Sequence, residues 1–192
     1  MASGRFTGSV IARLLRKPLT WVAVVVLAAG GTLGLYWFQP WKLVTDKEVN
    51  ETLAVVPTPD APATTAPTTA APATVSGPVV VRQGAFISHE HETSGTARVV
   101  RQPDGSHRLE LVDLDTSNGP DLRVWLSDQP VREGVRGWRV FDDGDWVELG
   151  KLKGNKGDQA YAIPASTDLD QLGSVSIWCK RFSVSFGAAT LR

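Results

Sequence analysis

The chain has one cysteine, Cys179, among 192 residues. An intramolecular disulfide is therefore impossible, and so is any all-cysteine metal site. Whatever holds the folded part together must be apolar packing. Net charge is missing as well: twenty Lys and Arg face twenty Asp and Glu. No overall field exists to recruit nucleic acid or acidic substrates. Enzyme marks are scarce. There is no GxSxG, no Gly-rich phosphate loop and no HExxH, and three histidines with scattered serines give no triad. Hydrolase and nucleotide-binding chemistry lack a signature, while a redox role stays open. The length suits one ordinary domain with accessories, not two full domains.

What is present first is an anchor. Arg5, Arg13, Arg16 and Lys17 crowd the first seventeen residues without an acid, so residues 1–18 read as a basic cytoplasmic tail. Residues 19–38, LTWVAVVVLAAGGTLGLYWF, carry no charge. As a helix they would be about 30 Å long, a bilayer core's thickness. Trp21 at one end and Tyr36, Trp37 and Trp41 at the other suit the headgroup levels. A cleaved signal peptide fits less well, because the run ends in Tyr-Trp-Phe rather than a small-x-small site. The expectation is a single-pass protein of the cell membrane. Its N-terminus is cytoplasmic and its C-terminal part extracytoplasmic.

Residues 39–56 form a juxtamembrane segment, in which Thr45 and Glu48 match a capping box and suggest one or two helical turns. Residues 57–78 hold six of the twelve prolines, with Ala and Thr between them. Such a stretch has little to bury and reads as a disordered, extended stalk. Residues 79–192 read as all-β. Thr96 to Arg101 and His107 to Val112 flank PDGS, a hairpin turn, and Leu109 and Leu111 alternate with charges. Leu122, Val124 and Leu126 repeat that alternation. Further strands are expected at Trp138 to Phe141, Trp146 to Leu152, Gln159 to Ile163 and the final SVSIWCKRFSVSF. The fold expected is a small antiparallel β-sandwich, with a barrel as the alternative.

In the last pair, Val175, Ile177 and Cys179 share one face, while Phe182, Val184 and Phe186 have opposite parity. A bulge or tight corner near Lys180 and Arg181 would supply the missing phase. Cys179 then has three readings: a small buried hydrophobe, an intermolecular disulfide, or a thiolate doing redox or ligand work. Arg181, re-aimed by the corner, could lower its pKa, whereas Lys180 should point to the other face. His89 and His91 in SHEHET lie on one face of an extended segment, as metal ligands could, although a solvated loop is the plainer reading. Asp113, Asp115, Asn118 and Asp121 resemble a calcium loop in composition, but the glycine falls late for one, and turn chemistry is expected.

Four motifs in order, HETSGTARV, LVDLDTSNGPDLRVWLS, LGKLKGNKGDQAYAIP and SVSIWCKRFSVSFGAATL, resemble the DM-thirteen or electron-transfer DM domain, from Gly84 to Leu191. The resemblance implies a β-sandwich with a characteristic cysteine in the final IWC segment, matched here by Cys179. It implies a redox role in which that cysteine is a bare thiol or holds a prosthetic group, haem being possible. No second redox module follows on this chain, so the expected partner is a separate extracytoplasmic redox or envelope molecule. A rival class is a non-catalytic cell-envelope binding module with Cys179 as packing.

Overall fold

A computed structural model describes residues 17–56 and 77–192. The basic tail before Lys17 and stalk residues 57–76 lie outside the described residues. The chain divides into two units, Met1–Trp41 and Lys42–Arg192. In the first, α1 (Pro18–Phe38) opens on a proline, whose missing N–H is no loss in a first turn. It ends at Gln39, which adopts a left-handed φ of 44° and donates its N–H to the Leu35 carbonyl. None of its residues is buried, and the apolar stretch Pro18–Lys42 has a mean hydropathy of 1.8. It is long and apolar enough to cross a membrane.

The second unit contains two antiparallel sheets. Strands β1 (Val79–Ala85), β3 (Thr93–Arg101), β4 (His107–Thr116) and β7 (Lys156–Ile163) form one in the order β1-β3-β4-β7. Strands β2 (Ile87–Ser88), β5 (Leu122–Ser127), β6 (Trp146–Lys151), β8 (Ser174–Cys179) and β9 (Val184–Thr190) form the other, in the order β2-β9-β8-β5-β6. The architecture is a sandwich, not a closed barrel. The PDGS hairpin forms as its pattern requires, pairing Arg101 with His107. Between the sheets lies one apolar cluster that includes Val99, Leu109, Leu111, Val124, Ile177, Cys179 and Phe186. Alternation explains it: each contributing strand turns every second side chain inward.

Trp138 to Phe141, expected as a strand, is instead irregular chain after a short 3-10 turn at Gly134–Gly137. Val140 and Phe141 cover the outer face of the five-stranded sheet, where Phe141 joins Trp125, Trp178 and Ala188 in a second cluster, while Trp138 packs against the inter-sheet cluster. This cover explains why all six residues of β8 are buried rather than every other one.

The juxtamembrane segment also departs from expectation. Thr45 to Val56 is extended, not helical. Glu48 bridges Lys156 in parallel, and the Val49 and Glu51 amides donate to the carbonyls of Lys156 and Asp158, each at 2.9 Å. The segment thus acts as a strap along the open edge of β7. Side chains fix it further. Glu51 accepts from the Lys153 ammonium and the Ala160 amide, and Asn155 donates to Asp46 and accepts from the Lys47 amide. Two glycines let the strap approach. A Cβ on Gly154 would lie 2.4 Å from the Lys47 carbonyl, and one on Gly157 (φ 89°) 2.2 Å from that of Val49. Free strand edges invite foreign pairing, and here the chain covers its own.

Candidate functional site

Cys179 is the last residue of β8, which is central in its sheet. It pairs with Leu122 of β5 on one side and Val184 of β9 on the other. The side chain turns into the inter-sheet cluster and has no solvent exposure. The chain then reverses through Lys180–Ser183, with Ser183 at φ 48°. The expected phase change is resolved by two features rather than one. A four-residue corner joins the strands, and a bulge follows, because Trp178 pairs with Ser185 but Ile177 with Gly187. Phe186 is the extra residue, which keeps it on the core side.

Burial pushes the Cys179 thiol above its ordinary pKa, opposed by backbone groups of Phe182, Arg181 and Asp121. The Glu90 charge pushes the same way as burial. The low-pKa thiolate anticipated beside Arg181 is therefore not what the fold builds. Arg181 acts through its backbone, and Lys180 reaches Glu148 at 3.2 Å. The corner itself is clamped from outside. Arg139 Nη1 donates to the carbonyls of Phe182 and Ser183 at 3.0 and 3.2 Å.

A prosthetic group can be tested against these residues. Haem ligation needs a sulfur with one face open to a macrocycle and iron. Cys179 instead sits with zero exposure in an apolar cluster that includes Leu122, Val184 and Phe186. The arrangement does not fit a haem on this sulfur.

On the opposite face of β8, next to Cys179 in sequence, three indoles line up. Trp146, 40% exposed, stacks on Trp125 at 3.9 Å and 3°, and Trp125 stacks on buried Trp178 at 5.1 Å. Phe141 meets Trp178 edge-on. Beneath them, Glu148 accepts from Trp125, Arg123 and Lys180, and these partners hold its carboxyl below the usual range against the opposing pull of burial. The sequence shows the tryptophans but not their stacking, which needs β5, β6 and β8 side by side.

His89 and His91 do not converge on Cys179 or on each other as ligands. His89 is buried, with Nδ1 2.8 Å from Ser185 Oγ and Nε2 3.1 Å from the Arg132 carbonyl. A carbonyl only accepts, so Nε2 carries the proton, and the Ser185 hydroxyl has two acceptors in reach, neutral Nδ1 and the Gly187 carbonyl at 3.1 Å. Ser185 in turn accepts from Ser176 Oγ at 2.9 Å. His91 lies against the Phe186 ring at 3.9 Å. Among the described residues no group of three or more His, Cys, Asp or Glu could hold a metal ion. The acidic loop is likewise engaged: Asp121 pairs with Arg123, Asp115 with Lys156, and Asn118 accepts from the Gly119 amide.

Burial lowers the pKa of His89, partly offset by the Arg132 carbonyl, and also that of His91, partly offset by Glu90. The unfolded chain therefore binds protons first as pH falls through about 6.5. Stability should be full above that pH and decline below it, down to the folded pKa. His89→Gln should flatten this slope in denaturant titrations at pH 5 to 7.5. An unchanged slope would contradict a neutral, buried imidazole.

A family model described as Electron transfer DM13 matches residues 85–191. No curated protein and no solved structure matches the chain.

Proposed function

From the chain's membership of the Electron transfer DM13 family, we propose that it is a membrane-anchored module that performs its electron-transfer-related role outside the cytoplasm through the Cys179 thiol. The observation that carries the reading is the position of that thiol. It ends the central strand β8 inside the matched region, sheltered in the core yet one residue from a surface corner. The apolar helix α1 supports the anchoring. The indole row from exposed Trp146 to Trp178 gives a line of aromatic contact from solvent to the residue before Cys179.

Only the thiolate is a competent nucleophile or electron donor. A buried thiol with a raised pKa reacts by way of an opened state, in which the Lys180–Ser183 corner lifts and water reaches the sulfur. Openings of this kind cost anywhere from nearly nothing to the whole folding free energy. The reading requires a cost well below the whole. In an exported position, reducing buffers do not protect such a thiol, and slow access would limit adventitious oxidation.

A second reading is favoured by the same burial: Cys179 as plain packing in an envelope binding module. Full-length protein in detergent, incubated with oxidised glutathione, separates the two. In the open state the Cys179 thiolate attacks one sulfur of the disulfide. A protein–glutathione disulfide forms, and the other glutathione leaves as its thiolate. The redox reading expects this adduct under native conditions, absent in Cys179→Ser. An adduct that appears only after denaturation leaves the packing reading standing.

A further inference from the structure

The geometry points to an anion-binding cleft of about 280 Å³ between the strap, the 118–122 loop and residues 151–155, shaped for a phosphate-bearing ligand. It goes beyond the electron-transfer reading and does not depend on the thiol. Four lysines, Lys42, Lys47, Lys151 and Lys153, line it against one acid, Asp121. The carboxylate of Asp121 is already held by Arg123 at 2.8 Å. Lys153 is held by Glu51. Lys42 has only a carbonyl, that of Pro120 at 3.5 Å. Among the described residues no carboxylate meets Lys42, Lys47 or Lys151.

Elsewhere in the domain lysines do find acids: Lys156 lies between Asp46 and Asp115, and Lys180 reaches Glu148. The cleft is thus a local positive excess on a chain whose charges cancel, in a concavity that focuses field. The backbone that carries one of these cations is held in place. The Lys47 amide is bonded to Asn155 Oδ1 at 2.7 Å, so the strap brings Lys47 to residues more than a hundred positions later. Lysine ammoniums are compact, strongly hydrated point charges that bind phosphate without the fixed bidentate geometry of arginine's planar fork. No arginine lines the cleft. The volume exceeds a bare phosphate and leaves room for a small polar group attached to it. A free phosphate ester and a lipid headgroup share this chemistry.

The test uses full-length protein and residue-resolved acylation of lysines by an activated ester, read by mass spectrometry. Lys156, paired with its acids, is the internal reference. One arm adds glycerol 3-phosphate to protein in uncharged detergent. The other compares nanodiscs of phosphatidylcholine with nanodiscs containing phosphatidylglycerol. At about ten times the dissociation constant, Lys47 and Lys151 should react roughly tenfold more slowly relative to Lys156. Protection by glycerol 3-phosphate assigns a free phosphate ester, and protection only in the phosphatidylglycerol discs assigns a headgroup. Lys42→Gln with Lys151→Gln should abolish protection at Lys47. No protection in either arm, or equal protection of Lys156, overturns the site.

Discussion

Trp178→Ala is expected to lower the stability of the domain by about 3–5 kcal/mol, the usual cost of deleting a large buried aromatic. Trp178 is 1% exposed and is the shared member of the outer cluster, stacked on Trp125 and met edge-on by Phe141. Both neighbours belong to segments that cannot follow it inward: Trp125 is in the β5 ladder, and Phe141 is in the covering loop. The cavity therefore stays open rather than collapsing. With a urea slope of about 1–3 kcal/mol/M, the midpoint should fall by roughly 1–5 M. Trp178→Phe, which restores a ring, should recover more than half of the loss. A shift below about 1 kcal/mol for the alanine variant would mean that the covering loop does not pack as described.

Glu110→Ala is the second large effect, expected at about 2–3 kcal/mol. Glu110 has no exposure, lies on the outer face of the four-stranded sheet, and accepts from Arg98 at 2.7 Å, from Arg108 and from the Ala54 amide at 2.9 Å. Removing one member of a buried ion pair usually costs about 3–5 kcal/mol. Arg98 and Arg108 remain 20% and 28% exposed and rehydrate in part, which brings the effect just below that range. The loss has a second signature. Ala54 belongs to the strap, so its amide should lose hydrogen-exchange protection while β3 and β4 amides keep theirs. Uniform loss across the sheet would assign Glu110 to the sheet alone.

Local patterns carried much of this fold into the sequence. The alternation of Leu109 and Leu111, the PDGS turn and the parity of Val175, Ile177 and Cys179 are period-two signals, readable within a few residues. The phase conflict between Cys179 and Phe182 was legible too, but not its solution, because a bulge at Phe186 depends on which residue Ile177 pairs with. The strap was illegible for a related reason. Asp46, Lys47 and Glu51 look like solvated polar residues, and their partners, Asn155, Lys153 and Ala160, lie about a hundred positions away. Trp138 to Phe141 misled because an apolar run in a covering loop looks like a strand. At the candidate site, the sequence marked Cys179 and its corner. It could not reveal the Arg139 clamp or the raised thiol pKa, both of which are products of packing.

The central claim is a sheltered thiol reached by opening one corner. Its most direct measurement is the labelling rate of Cys179 by a small maleimide in full-length protein, followed against low denaturant. Arg139→Ala, which removes the two bonds to the Phe182 and Ser183 carbonyls, is the comparison. At about 1–1.5 kcal/mol of net stabilisation for the clamp, the variant should label roughly tenfold faster and lose a similar amount of global stability, so the denaturant dependence of labelling identifies the route. The wild-type rate should depend only weakly on denaturant, as local opening requires. Labelling of both proteins with the full denaturant dependence of global unfolding would show that Cys179 reacts only in the unfolded chain and would contradict the account.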